Sequence, residues 1–257
     1  MRGIGTIKLA LAASSTTLQI ALAPNLKPPS LPASQVLELK ILNADGMQTV
    51  GSTHFRLSSD GSSETIELES RYLDGQHDEE QDRVLSIDGK LRLLSYEHTF
   101  FGADGKAIMV DKFDAISRIA TCSRREDGKM RLRSSQLDFS ADMFCGATQL
   151  LIVTTNLRAG SRNINFHALA CIPGPRVFHV VASVPEHTER WSNYPGDLIR
   201  LDLRPDLGTG INLIISPFLP KIDAWFDPHD NWRYVGGEFN RYFGGPHIYQ
   251  VLVQPHR

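Results

Sequence analysis

Carboxylates and a histidine cluster around Pro228, and these are residue types that bind divalent metals. Asp223, Asp227, His229 and Asp230 lie within eight positions, and carboxylate oxygens and imidazole suit such ions. Their spacing matches neither the EF-hand order nor a paired-histidine zinc motif. Asp227-Pro228-His229-Asp230 is also a plain turn sequence. We therefore expect a solvated turn and no bound metal.

A second acidic run contains His77, Asp78, Glu79, Glu80 and Asp82. Like charges placed side by side repel one another and are best solvated by water. The run therefore predicts a solvated strand end, with calcium binding as the remote alternative.

Nucleophilic and cofactor-dependent chemistry find no motif in this chain. There is no nucleophile elbow and no SxxK sequence, and Cys145 lacks a basic or helix-start setting that would lower its pKa. Gly236-Gly237 and Gly244-Gly245 fit neither a dinucleotide nor a P-loop pattern. We expect no cofactor and no catalytic residues, and an enzyme is the less favoured class.

The three cysteines, Cys122, Cys145 and Cys171, have no CxxC spacing, which argues against zinc. An exported chain would allow one disulfide and one free thiol. The alternative is three buried, reduced cysteines that act as small apolar residues. The sequence leaves the pairing open.

Aromatic residues concentrate near the C-terminus, where the last forty residues hold nine of the chain's 21. A curled sheet has a concave interior that can hold a small apolar ligand. These side chains would then line a pocket, or they would form the core. The predicted ligand-binding residues are Trp225, Phe226, Trp232, Tyr234, Tyr242, Phe243 and Tyr249.

The elements that position these residues are marked by Asp-Gly dipeptides, a strong hairpin signal through the type I′ turn. They are Asp45-Gly46, Asp60-Gly61, Asp74-Gly75, Asp88-Gly89, Asp104-Gly105 and Asp127-Gly128. The runs between them alternate, as where Leu37, Leu39 and Ile41 oppose Glu38 and Lys40. The sequence predicts an all-β fold, in which a curled antiparallel meander forms a barrel or half-barrel.

The alternation changes after Asp138, where the apolar spacing over 139–156 predicts a short helix with Ser140 as N-cap. This helix would cover one opening or face of the sheet. Further strands are predicted at 164–171, 176–184, 198–204, 211–215 and 248–253.

The N-terminus reads as a targeting segment, with Arg2 and Lys8 before an apolar stretch and a small-residue cleavage site at 21–23. Residues 1–23 are therefore predicted to be a signal peptide, 24–34 a proline-rich linker and 35–257 a single β-barrel-like domain. The apolar stretch is too short and polar for a transmembrane span. The expected location is periplasmic or secreted.

The charge balance excludes a nucleic-acid partner, since the net charge is −2 and the pI is near 6.5. The nearest basic cluster is interpreted as the solvent-facing side of a strand, because it alternates with Met130 and Leu132. It consists of Arg124, Arg125, Lys129, Arg131 and Arg133.

Several stretches together resemble exported bacterial β-rich proteins of unknown function, similar to half-open barrels of the lipoprotein-carrier and lipocalin-like type. They are Val50-Gly51-x-x-x-x-Arg56-Leu57, Asp82-Arg83-Val84-x-x-Ile87-Asp88-Gly89, the helix-like 139–156 and the ending at 234–253. The resemblance implies a curled antiparallel sheet and a lipophilic ligand or none, with no catalytic residues.

The sequence thus predicts an exported, soluble protein that binds a hydrophobic small molecule or a cell-envelope protein. One alternative is an enzyme on a lipocalin-like barrel that acts on a hydrophobic small molecule, with Tyr96, His98, Arg118 or Asp223 in its cavity. A purely structural envelope protein, with its interior filled by side chains, is the other.

Overall fold

The structure, a computed structural model, describes residues 34–87, 90–138, 143–171, 174–191, 194–206, 222–242 and 245–253. The predicted signal peptide, the linker up to residue 33 and the predicted strand at 211–215 lie outside the described residues.

The described residues form one large sheet and one helix. The elements are β1 (Ser34–Leu42), β2 (Thr49–Ser59), β3 (Ser63–Tyr72), β4 (His77–Ile87), β5 (Lys90–Phe101), β6 (Ala107–Asp114), β7 (Ile119–Glu126), β8 (Lys129–Gln136), β9 (Met143–Phe144), α1 (Thr148–Arg158), β10 (Asn163–Cys171), β11 (Pro175–Ser183), β12 (Ile199–Asp206), β13 (Ile222–Asp227), β14 (Arg233–Asn240) and β15 (His247–Leu252).

The strands follow chain order in two runs that meet where β1 pairs with β15. The order is β8-β7-β6-β5-β4-β3-β2-β1-β15-β14-β13-β12-β11-β10-β9. Neighbouring strands are antiparallel except for the short parallel pair of β9 and β10. A twisted sheet this wide curls rather than staying open. The prediction of a curled antiparallel meander is confirmed.

The two ends of the sheet approach each other without hydrogen-bonding into a closed ring. Cys122 on β7 forms a disulfide with Cys171 on β10, with their Cα atoms 5.5 Å apart. Leu169 and Val177, from β10 and β11, pack against a cluster that contains Phe113. The fold is therefore a half-open barrel whose ends are joined covalently, and Cys145 is left as a buried free thiol.

Four of the five described Asp-Gly turns differ from the predicted type I′ turn, and one matches it. Both residues have positive φ in Asp127-Gly128, at 51° and 76°, as a type I′ turn requires. At four other sites the glycine alone does. Three of these glycines donate their N–H to the carbonyl three residues earlier, as in a turn followed by a glycine bulge. The bonds are Gly46–Asn43, Gly75–Tyr72 and Gly105–Gly102. Asp88-Gly89 lies outside the described residues.

The helix starts later than predicted. Met143 and Phe144 form the short strand β9, which pairs with His167 and Ala168 of β10, and α1 covers Thr148–Arg158. Gly146 has a φ of +45°, which separates strand from helix. The proposed cap Ser140 lies outside the described residues. The apolar spacing after 143 thus serves two elements that bury residues in the same core.

The main hydrophobic core lies between α1 and strands of the second half of the chain. Val153 and Leu157 of α1 are buried there. The strands contribute Phe144, Ile164, Phe166, Val180, Leu201, Ala224 and Phe226. The helix therefore fills the interior of the curled sheet. Within the described ranges, no helix has the length and apolar character needed to cross a membrane.

Candidate functional site

Titratable side chains form two adjacent rows on the inner face of β4–β7. Register pairs Glu80 with His98, His98 with Asp111, and Asp111 with Cys122. The next row pairs Asp82 with Tyr96. Residues directly opposite on neighbouring strands share a face. The rows therefore run from β4 towards the disulfide, and Asp78 lies beside them, opposite Phe100. We call Asp78, Glu80, Asp82, Tyr96, His98 and Asp111 the inner acid cluster.

The prediction that the acidic run is a solvated strand end is wrong for Asp78 and Asp82. Asp78 and Asp82 are 6% and 0% exposed, whereas Glu79 between them is exposed. The reason is the period of two in β4, which turns every second residue inward. The Glu80 carboxylate also lies on the inner side, although part of this residue borders an open groove on the outer face.

Neutral and cationic partners accompany two of the buried acids. Asp78 accepts a hydrogen bond from the Tyr72 hydroxyl at 3.0 Å, yet burial raises its pKa to about 6. Asp111 forms a bidentate pair with Arg124, and burial still raises its pKa. Arg124 therefore faces inward, which corrects its assignment to a solvent-facing strand side. Burial lowers the pKa of His98 to about 4, so it is neutral at pH 7.

Glu80 and Asp82 meet the start of α1. A Glu80 carboxylate oxygen accepts the Ala147 N–H at 2.5 Å, and burial raises the Glu80 pKa to about 7. Burial and the neighbouring Glu80 charge raise the pKa of Asp82 well above its ordinary value. When both groups are ionised, neither Asp82 oxygen makes a well-formed hydrogen bond, and the nearby Thr148 N–H, which is bonded to the Cys145 carbonyl, lowers the Asp82 pKa only in part. With a proton on one group, the two carboxyls can share a hydrogen bond.

Tyr96 and Cys145 complete this buried region. Burial and then nearby carboxylates raise both pKa values well above normal, so both groups are neutral at pH 7. A protonated thiol is a poor nucleophile. The buried region therefore combines neutral Tyr96, His98 and Cys145 with carboxyls of raised pKa.

An apolar crevice lies beside this cluster, between α1 and the inner face of β1–β3. Its volume is about 70 Å³. Its apolar walls are Leu37, Leu39, Phe55, Leu57 and Leu68 from β1–β3, Leu150 and Leu151 from α1, Trp232 from the β13–β14 connection and Tyr234 from β14. The polar lining groups are Gln35, Thr154, Arg158, Arg233 and Gln250. One stripe of α1, from Leu150 to Arg158, forms the lid of this crevice.

Three of the predicted ligand-binding residues come together at α1. Phe226 is fully buried in the main core, and Trp232 and Tyr234 pack against that core. Trp232 and Tyr234 also line the crevice. Burial raises the pKa of Tyr234 above its ordinary range.

The other predicted residues are dispersed. Trp225 packs on the outer face, where its ring stacks on Trp191 at 4.3 Å. Tyr249 of β15 lies opposite Glu238 of β14. Its neighbours Ile248 and Gln250 are buried on one face of the strand, so Tyr249 lies on the other face. Tyr242 is 40% exposed, near Phe100, and Phe243 lies outside the described residues. The structure therefore divides the aromatic group between the two faces of the sheet.

The turn at 228–232 forms as the sequence predicts. Asp227 accepts the N–H groups of His229 and Asp230 and the Tyr194 hydroxyl. This pattern is an Asx turn. Among the described residues, the grouping of metal-ligand atoms that does converge joins Asp111 to Cys122 and Cys171. Those two sulfurs are bonded to each other and are not thiolates.

The polar residues named for an enzyme separate in the same way. Tyr96 and His98 belong to the inner acid cluster. Arg118 lies in the β6–β7 turn with a φ of 57°, and Asp223 pairs with Arg200 at 2.6 Å. Sequence reasoning named the acidic run of β4 but missed the burial of its carboxylates, and it did not single out Arg158. The signal for that burial was the spacing of Asp78, Glu80 and Asp82 at every second position.

Comparisons with known proteins find a likeness in structure. No protein-family model matches the chain, and no curated protein matches its sequence. A crystal structure of a β-barrel-like protein of the domain of unknown function DUF1849 from Brucella abortus is similar, with a TM-score of 0.47 and 9% identity over 86% of this chain and 95% of that chain. The expected resemblance to bacterial β-barrel-like proteins of unknown function is found in this match.

Proposed function

We propose that this protein is an exported binding protein that holds an anionic amphipathic molecule in the crevice beneath α1. The apolar part of the ligand enters between the helix and β1–β3, and its charged group meets Arg158. The observation that carries this proposal is an apolar crevice with an arginine at its rim.

The crevice has the chemical character of a lipid-binding site. Its strand side consists of leucines and one phenylalanine, and Trp232 and Tyr234 close the opposite side. Ligand sites are mostly apolar with a few polar groups that fix orientation. Binding would gain roughly 25 cal/mol for each Å² of apolar surface removed from water.

Arg158 supplies the charge that such a ligand would need. Its Nε donates to the Asn231 carbonyl at 2.9 Å. No carboxylate among the described residues pairs with it, and burial lowers the pKa of its guanidinium. A partly desolvated cation without an anion favours a carboxylate or phosphate ligand.

The observed volume implies that the crevice opens on binding. About 70 Å³ accommodates only a small apolar fragment, whereas sites for larger ligands span about 300–1,000 Å³. One wall of the crevice is α1 alone, and the other walls belong to the sheet. A shift of α1 away from β1–β3 therefore enlarges the crevice while the sheet stays intact.

The disulfide supports the exported location. Structural disulfides persist in oxidising compartments and are rare in the cytosol. The Cys122–Cys171 bond joins two strands 49 positions apart. Cell fractionation of the full-length chain, with thiol labelling under non-reducing conditions, tests the location directly.

The binding proposal is tested with a fluorescent long-chain fatty acid and the fatty alcohol of equal chain length. We expect both to bind and the acid to bind more tightly. Arg158→Gln should weaken binding of the acid about tenfold, the loss expected for one charge-assisted hydrogen bond. The alcohol should be affected little.

The matched control is Arg190→Gln, since Arg190 is 86% exposed in its side chain and pairs with Asp197. Leu151→Trp should fill the crevice and weaken both ligands. Absence of saturable binding to the wild-type protein, or equal effects of the two arginine variants, would contradict the proposal.

An enzyme that acts on a hydrophobic small molecule is the second candidate. The observation that favours it is the position of Tyr96 and His98 among carboxyls of raised pKa, beside the same crevice. Under this alternative, Glu80→Gln abolishes turnover of a bound ligand without changing its affinity. Mass spectrometry of an amphipathic substrate incubated with the protein would reveal such turnover.

A further inference from the structure

The first turn of α1 rests on β4 through the Glu80 carboxylate. Besides the bond from the Ala147 N–H, this carboxylate packs against Gly146 so closely that a Cβ there would overlap it. The site places a carboxyl group at a helix N-terminus, whose unpaired amides need an acceptor. The start of the helix has no side-chain cap of its own, so β4 provides the cap.

Asp82 makes this cap depend on a proton. It is fully buried next to Glu80, and the donor that faces it, the backbone N–H of Thr148, is already bonded to the Cys145 carbonyl. A buried charge without a partner is strongly unfavourable. A proton on Asp82 removes that charge and provides a donor to Glu80.

We propose that Glu80 and Asp82 form a proton-dependent latch, in which a shared proton holds α1 over the crevice and loss of protons releases the helix. The inference rests on the proposed function only for the ligand site that the released helix uncovers. The latch itself is a property of the apo protein.

The groups that face the latch offer no positive charge that would replace the proton. They are Asp78 on β4, Tyr96 and His98 on β5, Asp111 on β6, Arg124 on β7 and Cys145 before α1. Arg124 is engaged with Asp111, and His98 is neutral. The nearby parts of β3 and β10 present the apolar Leu68 and Leu169.

The direction of the pH effect follows from the closed and open states. In the closed state the pKa of Glu80 is about 7 and that of Asp82 is well above normal. Exposure to water on opening would return both to ordinary values of about 4. Between pH 5 and 7 the closed state therefore retains protons that the open state has lost. Opening becomes about tenfold more favourable per pH unit for each retained proton.

Amide hydrogen exchange of α1 in the full chain without ligand tests the latch from pH 5 to 8. After division by intrinsic exchange rates, the opening constant of the helix should rise at least tenfold per pH unit up to pH 7. Asp82→Asn keeps a hydrogen-bond donor but cannot ionise. In this variant the rise of the opening constant per pH unit should be about ten times smaller than in the wild-type protein. Glu79→Gln, on the exposed side of the same strand, should leave it unchanged.

Gly146→Ala provides a second variant, because the added Cβ displaces the Glu80 carboxylate. Its helix should exchange rapidly at every pH, while β3 and β4 amides keep wild-type protection. A wild-type opening constant that does not change with pH, or an equal pH dependence in Asp82→Asn, would overturn the latch. If the protein binds the fatty acid but its helix exchange does not depend on pH, the latch is refuted and the proposed function stands. If the exchange depends on pH as expected but no fatty acid binds, the proposed ligand is refuted and the latch stands.

Discussion

The inner faces of the two halves of the sheet obey the same alternation, but the first half buries polar and charged side chains among its apolar ones. Strands β2–β6 turn Thr53, Ser70, Asp78, Asp82 and Asp111 inward, and all are buried. Strands β10–β14 turn in aliphatic and aromatic side chains around α1. A period of two therefore identifies which residues share a face, and says nothing about whether the buried set is apolar.

The polar half is organised by hydrogen bonds that cross many residues of sequence. The Thr53 and Ser70 hydroxyls are 3.0 Å apart, and Gln250 donates to Thr53 at 2.9 Å. Buried polar groups are tolerated when they are paired. We therefore expect the apolar half to provide most of the stability and the polar half to provide its dependence on pH.

The sharpest test of this contrast is Phe166→Ala in the apolar half. Phe166 is fully buried, so its truncation should lower the free energy of unfolding by about 3–5 kcal/mol. Urea denaturation followed by circular dichroism measures the change. Leu132→Ala on β8 is the control, because Leu132 is 66% exposed and its loss should cost about 0.5 kcal/mol or less. Equal costs would show that the apolar half is not the dominant core.

Removal of the disulfide tests the link between the halves. The double variant Cys122→Ser, Cys171→Ser should lose about 2–4 kcal/mol, because the bond restricts the unfolded chain. Urea midpoints with and without a dithiol reductant measure the effect. The reductant should lower the midpoint of the wild-type protein and leave the variant unchanged; an unchanged wild-type midpoint would argue against a stabilising bond.

The pH dependence tests the polar half. Asp78, with a pKa of about 6 in the folded state, binds its proton more tightly folded than unfolded. Its stabilising contribution is complete below pH 4 and is lost as pH rises through 6, at about 1.4 kcal/mol per pH unit at most. Between pH 4 and 6, Asp78→Asn should make the slope of the unfolding free energy against pH less steep by up to about 1.4 kcal/mol per pH unit, the contribution of one proton.

His98 acts in the opposite direction, because its pKa is lowered to about 4 and its contribution grows as pH rises from 4 to 6.5. The raised acids outnumber it, so net stability should fall between pH 5 and 7. Urea titrations at a series of pH values measure both slopes. A wild-type slope of opposite sign would show that the acids are not buried in solution.

The smallest expected effect is on the outer face. Arg56 and Glu67 form an exposed ion pair at 3.3 Å, and such pairs contribute about 0–1 kcal/mol. Arg56→Gln should therefore change stability by about 0.5 kcal/mol or less in urea denaturation. Arg124→Gln, which leaves buried Asp111 without its partner, should cost several times more. Similar costs would remove the distinction between the faces.

Local patterns in the sequence predict much of the fold. Hairpin positions follow from the Asp-Gly dipeptides, and the burial of Leu39, Ile41 and Leu57 follows from alternation. The closing strand is predicted at 248–253 and observed at His247–Leu252. These features depend on neighbours along the chain, so composition and period are sufficient to find them.

The features that sequence reasoning missed depend on distant partners. Glu80 is held by an amide 67 positions away, and Cys122 is paired across 49 positions. The helix boundary depends on β9 pairing with β10, which no local period records. A run of acids is expected to be solvated until the helix that covers it is known.

The disulfide has a mechanical consequence. The Cys122–Cys171 bond closes a covalent loop that contains β8, β9 and α1. A force applied between the chain ends is carried by the disulfide and does not extend this loop. Stretching the oxidised protein therefore yields an extended chain that is shorter by about 170 Å, the contour length of the 49 positions that the loop spans. Under tension the curled sheet can unfold outside this loop, while the segment between Cys122 and Cys171 stays looped until the disulfide is reduced.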